Sequence, residues 1–406
     1  MNCITQEFVN IGISKTIKGN TINLLTKFSL SVALTALCAS ALAQEKITMK
    51  GSDNSTIYAD VLETFEMPWA MAFLPDGHAL VTEKTGKLWL IDKAGKKRFT
   101  VDNVPNTAAR GQGGLGDIIV HPDFANNGIV FLSMVERDSK DDNLSGAIVE
   151  RAKLSITSNG ASLSEREIIW RQAPKMTGNG HYSHRLALSP DGYLFITSGD
   201  RQKFTPAQNM AMNLGKILRI NQDGSSPKDN PFYGNGEVAN QVWTLGHRNP
   251  LGIDFDADGN LWAHEMGPRH GDELNLIERA RNYGYPIVSQ GDHYSGVSIP
   301  NHETNPVFYA PKVAWVPAIS PAGFIIYKGD KFKDWLGNGF IGGLSSEALV
   351  RVSFSVEEDR PTLVAEESAR YEWGERVREV EQSTDGNIYV IEDGRTGRLL
   401  RLSLQK

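Results

Sequence analysis

One phrase recurs along this chain and limits what it can fold into: an apolar strand, an Asp-Gly turn, then a strand of alternating apolar residues. It reads "MAFLPDGHALVTE" with its turn at Asp76-Gly77, "LALSPDGYLFITS" at Asp191-Gly192, "IDFDADGNLWAHE" at Asp258-Gly259, and "EQSTDGNIYVIED" at Asp385-Gly386. "IVHPDFANNGIVFLSMV" is a looser copy with its glycine at Gly128. Asp-Gly between apolar runs is a strong hairpin signal, because the turn needs a positive φ that costs glycine nothing. These glycines lie 51, 64, 67 and 127 residues apart, the last gap being close to two periods. Residues 44–406 therefore hold about six units of a strand-rich repeat. No unit contains a long amphipathic helix. The expected fold is all-β: a six-bladed β-propeller of four-stranded antiparallel blades, which protects its sheet edges without disulfides. A tandem of sandwiches competes with it, but gives no reason for one hairpin phrase to recur at such a period. A propeller brings loops together around a central channel, although the fold by itself names no chemistry.

The amino terminus reads as a signal peptide over residues 1–43, leaving 44–406 as a single catalytic domain. Lys27 precedes the apolar run "FSLSVALTAL", and Ala41-Leu42-Ala43 offers an A-x-A cleavage site before Gln44. The run is too short for a good spanning helix. Both cysteines, Cys3 and Cys38, fall inside this segment. The mature chain is thus expected in the periplasm or secreted, without a membrane span and without disulfides. That leaves a monomer or a non-covalent homodimer. Removing Lys15, Lys18, Lys27 and Glu7 takes the net charge from −6 to −8. With no basic patch or arginine-rich helix, nucleic acid is not an expected partner.

Several segments carry polar residues suited to chemistry, each with a plainer reading beside it. "DFDADGNLWAHE" matches an EF-hand loop from Asp254 to Glu265. Its flanks alternate like strands, and the repeat places a hairpin turn there. In "HEMGPRHGDEL", Gly267-Pro268 is a bend able to aim backbone carbonyls at a hard cation, with Asp272 and Glu273 close by. It reads equally as a charged surface turn. "LGHRNPLG" sets Arg248 and Asn249 before a proline, where the arginine fork suits a carboxylate or a quinone oxygen, or merely caps loop carbonyls. Arg376 and Arg378 are two apart, hence on one side of a strand, facing an anion or solvent. "GHYSH" holds His181 and His184 three apart, on opposite sides if extended, which disfavours a metal pair. Serine-hydrolase, zinc-protease, P-loop and dinucleotide fingerprints are all missing from the sequence.

As an ordered set, "GQGGLGDIIVHPDF", "GHYSHRLALSPDGYLFITSGD", "LGHRNPLGID" and "HEMGPRHGDELNLI" resemble the soluble quinoprotein sugar dehydrogenases, on the aldose sugar dehydrogenase side of that family. The resemblance runs from "PWAMAFLPDG" to "GRLLRL", nearly the whole mature chain. It implies a six-bladed propeller binding pyrroloquinoline quinone (PQQ) and calcium, which oxidises aldoses at C1 and passes electrons to an unidentified acceptor. It makes His181 the general base, Asp200 its support and Arg248 a stabiliser of charge on the quinone oxygen. Gln112, His181, Arg248, Asn249, Arg376 and Arg378 match cofactor-binding positions. The carbonyls of Gly267 and Pro268 match ligands of the catalytic calcium, and Glu273 and Tyr283 those of a second calcium. Gln112, Asp200 and Trp315 fall on the sugar side.

Three positions depart from the family pattern. Ser345 stands where a cofactor-contacting lysine is frequent, His184 where a glycine is usual, and Glu379 where aspartate is common. The lost lysine keeps open a non-catalytic exported binding module. A calcium-dependent sugar-lactone hydrolase is a further alternative, though it leaves the cationic residues without a purpose.

Overall fold

Each Asp-Gly phrase folds as the hairpin its sequence dictates. Gly77, Gly192, Gly259 and Gly386 take φ values of 89°, 90°, 83° and 81°, and the flanking strands pair antiparallel. The EF-hand-like stretch is one of these hairpins, with Pro250–Phe255 paired to Leu261–Glu265. Strands rather than helices flank it, so it lacks EF-hand geometry. A computed structural model describes residues 46–357 and 362–404, all within the unit Gln44–Lys406. The expected signal peptide lies outside the described residues.

The protein is all-β, built from four-stranded antiparallel groups that follow one another along the chain. Pro68–Phe73, Ala79–Glu83, Lys87–Ile91 and Lys97–Asp102 form one meander. Leu115–Val120, Ile129–Arg137, Leu144–Thr157 and Gly160–Arg171 form the next. A short parallel pairing, Ala161 with Val101 and Ser162 with Asp102, fuses these two into a larger sheet. Then come groups beginning at Ser183–Leu188, Pro250–Phe255 and Pro321–Ile326. The group beginning at Pro321 lacks an Asp-Gly turn and reverses through a 3-10 turn at Lys333–Trp335, which accounts for the double gap in the repeat. The final sheet joins both ends of the described residues: Val377–Gln382, Ile388–Glu392 and Gly397–Leu404 pair on to Thr56–Phe65 and Lys46–Lys50.

The first strands of successive groups touch in a closed order, from Pro68–Phe73 round to Val377–Gln382 and back. Apolar clusters fill each interface between neighbouring sheets. Trp69, Leu80, Leu115 and Leu132 pack between the first two groups, and Leu62, Met71, Val81 and Ile391 between the last and the first. Strands buried on both faces read as continuous apolar runs, as in "LFITS" and "IYVIE".

Every first strand breaks register with its hairpin partner near its beginning: between Pro68 and Ala70, Leu115 and Ile118, Ser183 and Leu186, Pro250 and Gly252, Pro321 and Phe324, and Val377 and Glu379. Such bulges bend a strand and re-aim its side chains. Here they fall at the strand ends away from the Asp-Gly turns.

Between two of the sheets, His264 is fully buried, its ring 5.5 Å from that of Phe324. Burial, aided by the Arg185 charge, pulls its pKa to about 3. An unfolded histidine titrates near 6.5, so from pH 6.5 down to 3 the unfolded chain holds a proton that the fold refuses. The stability this ring permits is complete above pH 6.5 and falls as pH drops. Between pH 7.5 and 5, His264→Leu should lose about 2 kcal/mol less than the native protein in urea denaturation series.

Candidate functional site

The expected site residues come from different repeats yet share one end of the strands. Gln112 precedes Leu115–Val120, His181 precedes Ser183–Leu188, and Arg248 and Asn249 precede Pro250–Phe255. Asp200 follows Leu194–Ser198, and Gly267 and Pro268 follow Leu261–Glu265. Arg376 and Arg378 flank the start of Val377–Gln382. Because each hairpin turn lies at the far end, all of these converge at the bulged end.

His181 and Asp200 meet directly. The imidazole Nδ1–H donates to Asp200 Oδ1 at 2.7 Å, and the fully buried carboxylate also accepts the N–H groups of Gln202 and Phe204 at 2.9 and 3.1 Å. That bond fixes the tautomer and leaves Nε2 as a lone pair. Burial lowers the His181 pKa against the pull of the Asp200 bond, and the nearby Arg248 charge lowers it further. A neutral imidazole of fixed orientation has the form a general base needs.

The segment carrying this histidine is strained and firmly held. His181, Ser183 and His184 have φ of 50°, 58° and 57°, a left-handed conformation that costs a non-glycine residue about 1 kcal/mol or more. Arg201 offsets that cost. It is buried, lies 3.8 Å from the centre of the Tyr182 ring, and donates to the carbonyls of Gly180, Ser145 and Gly178 at 3.0, 2.6 and 2.6 Å. Gln112 Oε1 accepts the His181 N–H at 2.6 Å.

Arg248 and Asn249 lock the adjoining loops. The Arg248 carbonyl accepts the Asp200 N–H at 2.8 Å, its own N–H donates to Glu265, and its guanidinium reaches the carbonyls of Met266 (2.9 Å) and Gly267. Asn249 Oδ1 accepts the Ser183 hydroxyl at 3.0 Å.

A cavity of about 550 Å³ opens beside the His181 segment, walled by Tyr182, Ser183 and His184; His181, Asp200, Arg248 and Asn249 themselves do not line it. Gln112, Arg376 and Arg378 line it, together with Lys84, Asp393 and Arg395. Both arginines of the strand pair with Asp393 at 2.9 Å. Burial pushes the Asp393 carboxyl up, but Arg378 and Arg376 hold it below the usual carboxylate range. The apolar part of the wall includes Trp69 and His184, stacked 5.1 Å apart at 12°. His184 is buried and its Nδ1 is 2.7 Å from Ser133 Oγ. Burial, with help from Arg185, takes its pKa to about 3, so this ring is a neutral wall element.

Arg248, Gly267, Pro268, Glu273 and Tyr283 line a second cavity of about 10 Å³, room for one water-sized species. Burial raises the Glu273 carboxyl well above its ordinary range, and neighbouring Glu265 adds to the rise. Gly267 has no space for a side chain, since a Cβ would lie 2.1 Å from the Gly271 carbonyl oxygen. The Tyr283 hydroxyl is already committed, donating to the Leu276 carbonyl at 2.5 Å.

Trp315, expected on the sugar side, adjoins the Gly267–Glu273 segment, its carbonyl accepting the Gly271 N–H at 2.9 Å. Its ring is buried in the apolar cluster with Trp262, Leu274 and Ile319, and its Nε1–H donates to Glu367 at 2.7 Å. Ser345 is exposed and donates to the Ala318 carbonyl at 3.3 Å.

A family model described as Glucose / Sorbosone dehydrogenase matches residues 65–401. The chain belongs to this family. It is 34% identical over 365 residues to the aldose sugar dehydrogenase YliI of Escherichia coli K12, covering 86% of this chain and 93% of that protein. The apo crystal structure of the soluble E. coli aldose sugar dehydrogenase superposes with a TM-score of 0.79 at 33% identity, covering 86% of this chain and all of that one. The PQQ-bound aldose sugar dehydrogenase of Streptomyces coelicolor gives a TM-score of 0.66 at 26% identity, covering 88% and 99%.

Sequence reasoning missed Lys84, Asp393, Glu265 and Arg201 in this member of the glucose/sorbosone dehydrogenases. A signal for the two acids existed. The second strand of each phrase ends on an acid, in "LVTE", "ITSGD", "LWAHE" and "IYVIED", at the end where the site forms.

The His184 ring depends on Gly116, where a Cβ would stand 2.0 Å from His184 Cε1. Gly116→Ala should therefore cost about 2 kcal/mol in urea denaturation. Adding His184→Ala should recover most of that loss, a coupling absent if the two sites were independent.

Proposed function

We propose that this chain is a six-bladed β-propeller quinoprotein, which oxidises the C1 hydroxyl of aldose sugars to lactones using PQQ and calcium and passes the electrons to an external acceptor. The observation that carries this reading is the buried His181–Asp200 pair beside a cation-lined cavity. The cyclic contact of the first strands supports six blades. The apolar run and A-x-A site before Gln44 support export to the periplasm or beyond.

The residues present fit PQQ. Lys84, Arg376, Arg378 and Arg395 face the cavity against one carboxylate, Asp393, which suits a polycarboxylate ligand. The stacked Trp69 and His184 rings suit a planar one. Bound there, PQQ supplies a two-electron acceptor for the hydride leaving C1 of the sugar. His181 Nε2 takes the proton of the C1 hydroxyl, and Asp200 keeps the Nδ1 proton and stabilises the imidazolium that results. Arg248 offers donors to negative charge developing nearby. Asn249, bonded to Ser183, holds the two loops in register.

Calcium fits less directly. Among the described residues no three His, Cys, Asp or Glu side chains converge on a ready metal site. A cation would draw on the carbonyls of Gly267 and Pro268 and on the Glu273 carboxylate, whose repulsion from Glu265 it would relieve. The Gly267 carbonyl would have to exchange its Arg248 partner for the ion. Besides Trp315, Phe204 (44% exposed, its N–H bonded to Asp200) and Tyr294 (73% exposed, its ring centre 5.8 Å from the Arg248 guanidinium) offer faces for a sugar ring.

The test is dye reduction by the purified chain with PQQ, calcium and a panel of aldoses. Turnover with at least one aldose is expected. His181→Ala should lower kcat by roughly 100-fold or more while PQQ affinity changes only a few-fold. Absence of both turnover and PQQ binding in the native protein would sink the reading.

A further inference from the structure

We propose that Lys84 is an anchoring cation of the large cavity, binding a carboxylate of the planar anion held there. The identity of that anion rests on the quinoprotein reading above; its charge does not. Lys84 follows the second strand of the first hairpin, on the opposite end of the sequence from Arg376 and Arg378. Its backbone is fixed on both sides: its N–H donates to the Met67 carbonyl at 3.0 Å, and its carbonyl accepts the Leu115 N–H at 3.1 Å. Gly114 packs against the same carbonyl so closely that a Cβ would sit 2.4 Å from the oxygen. The side chain therefore leaves a rigid support at the cavity wall.

The ammonium donates to the Gly111 carbonyl at 2.9 Å, and the carboxylate that acts on it, Asp393, does so only as a nearby charge. The one carboxylate lining the cavity, Asp393, is already shared by Arg376 and Arg378. Arg395 adds a further positive charge to the wall. Burial, and after it the nearby Arg378, lower the Lys84 pKa, while Asp393 pulls it back up. Such a surplus of positive charge disfavours the empty cavity and is relieved by an anion with several negative groups. Lys84 also explains how the cavity manages with Ser345, whose side chain turns to a backbone carbonyl.

Isothermal titration of the full chain with PQQ, at low and moderate salt, tests this. Lys84→Gln should weaken binding about tenfold and reduce the salt dependence, while Lys84→Arg stays within a few-fold of native. Thermal melts of both variants check folding. Native-like affinity and salt dependence in a folded Lys84→Gln protein would overturn the inference. Should the native protein not take PQQ, trimesate, a planar tricarboxylate, replaces it in the same comparison. Lys84-dependent trimesate binding then sustains the anion site while the quinoprotein reading falls. Failure of both ligands to bind overturns both.

Discussion

The architecture hangs on one buried guanidinium. Arg185 sits in the first strand of the Ser183 group, its Nε–H donating to the Leu251 carbonyl at 2.9 Å and its Nη1 to Asp117 (3.3 Å) and Glu379. Those partners belong to three other first strands, so a single cation ties four of them together. It also lies 4.0 Å over the Trp69 ring, reaching a fifth. Burying a guanidinium is costly, and Glu379 and Asp117 offset that cost by holding it charged. Glutamate at 379, one methylene longer than the aspartate common in the family, still reaches the guanidinium. Asp117 works in two directions, accepting the Leu186 N–H at 2.7 Å while facing Arg185.

From this anchor the site follows by short steps. The residues just before Arg185 must reach the bulged end in little chain length, and they do so through the left-handed turns at His181, Ser183 and His184. Strain of that kind persists only where surroundings over-determine it. Here Arg201 grips the loop from behind, Gln112 holds the His181 N–H, and Asn249 takes the Ser183 hydroxyl. The apolar clusters between sheets supply the stability against which this local cost is set. The same bulge in every first strand gives several repeats a way to aim polar groups at one place.

Much of the fold was legible because hairpins are local. Asp-Gly turns announce themselves within a few residues, and their spacing announces the period. The group beginning at Pro321 was silent because its reversal at Lys333–Trp335 carries no Asp-Gly pair. The pairing of Thr56–Phe65 with Gly397–Leu404 was illegible for a different reason: it joins segments with hundreds of residues between them, and no local pattern encodes that. The site divided the same way. His181 and Asp200 lie at the two ends of one hairpin, so their meeting follows from its register. Lys84, Asp393 and Arg376 come together only when distant groups close on each other, which neither spacing nor residue type reveals. Trp315 shows a further limit: its apolar neighbours and its bond to Glu367 come from distant segments that the motif around it does not announce.

The sheet that unites the two ends of the described residues has a consequence for what the cavity depends on. Its walls draw on Trp69 and Lys84 near the beginning and on Arg376, Arg378 and Asp393 near the end. The two sets meet where the last group packs on the first, the junction that the pairing of Gly397–Leu404 with Thr56–Phe65 holds. A chain truncated before residue 397 loses both that junction and the hairpin of Ile388–Glu392 with Gly397–Leu404, while the earlier Asp-Gly hairpins keep their local pairing. The cavity is thus a property of the closed ring and of no single repeat, because its walls are far apart in sequence.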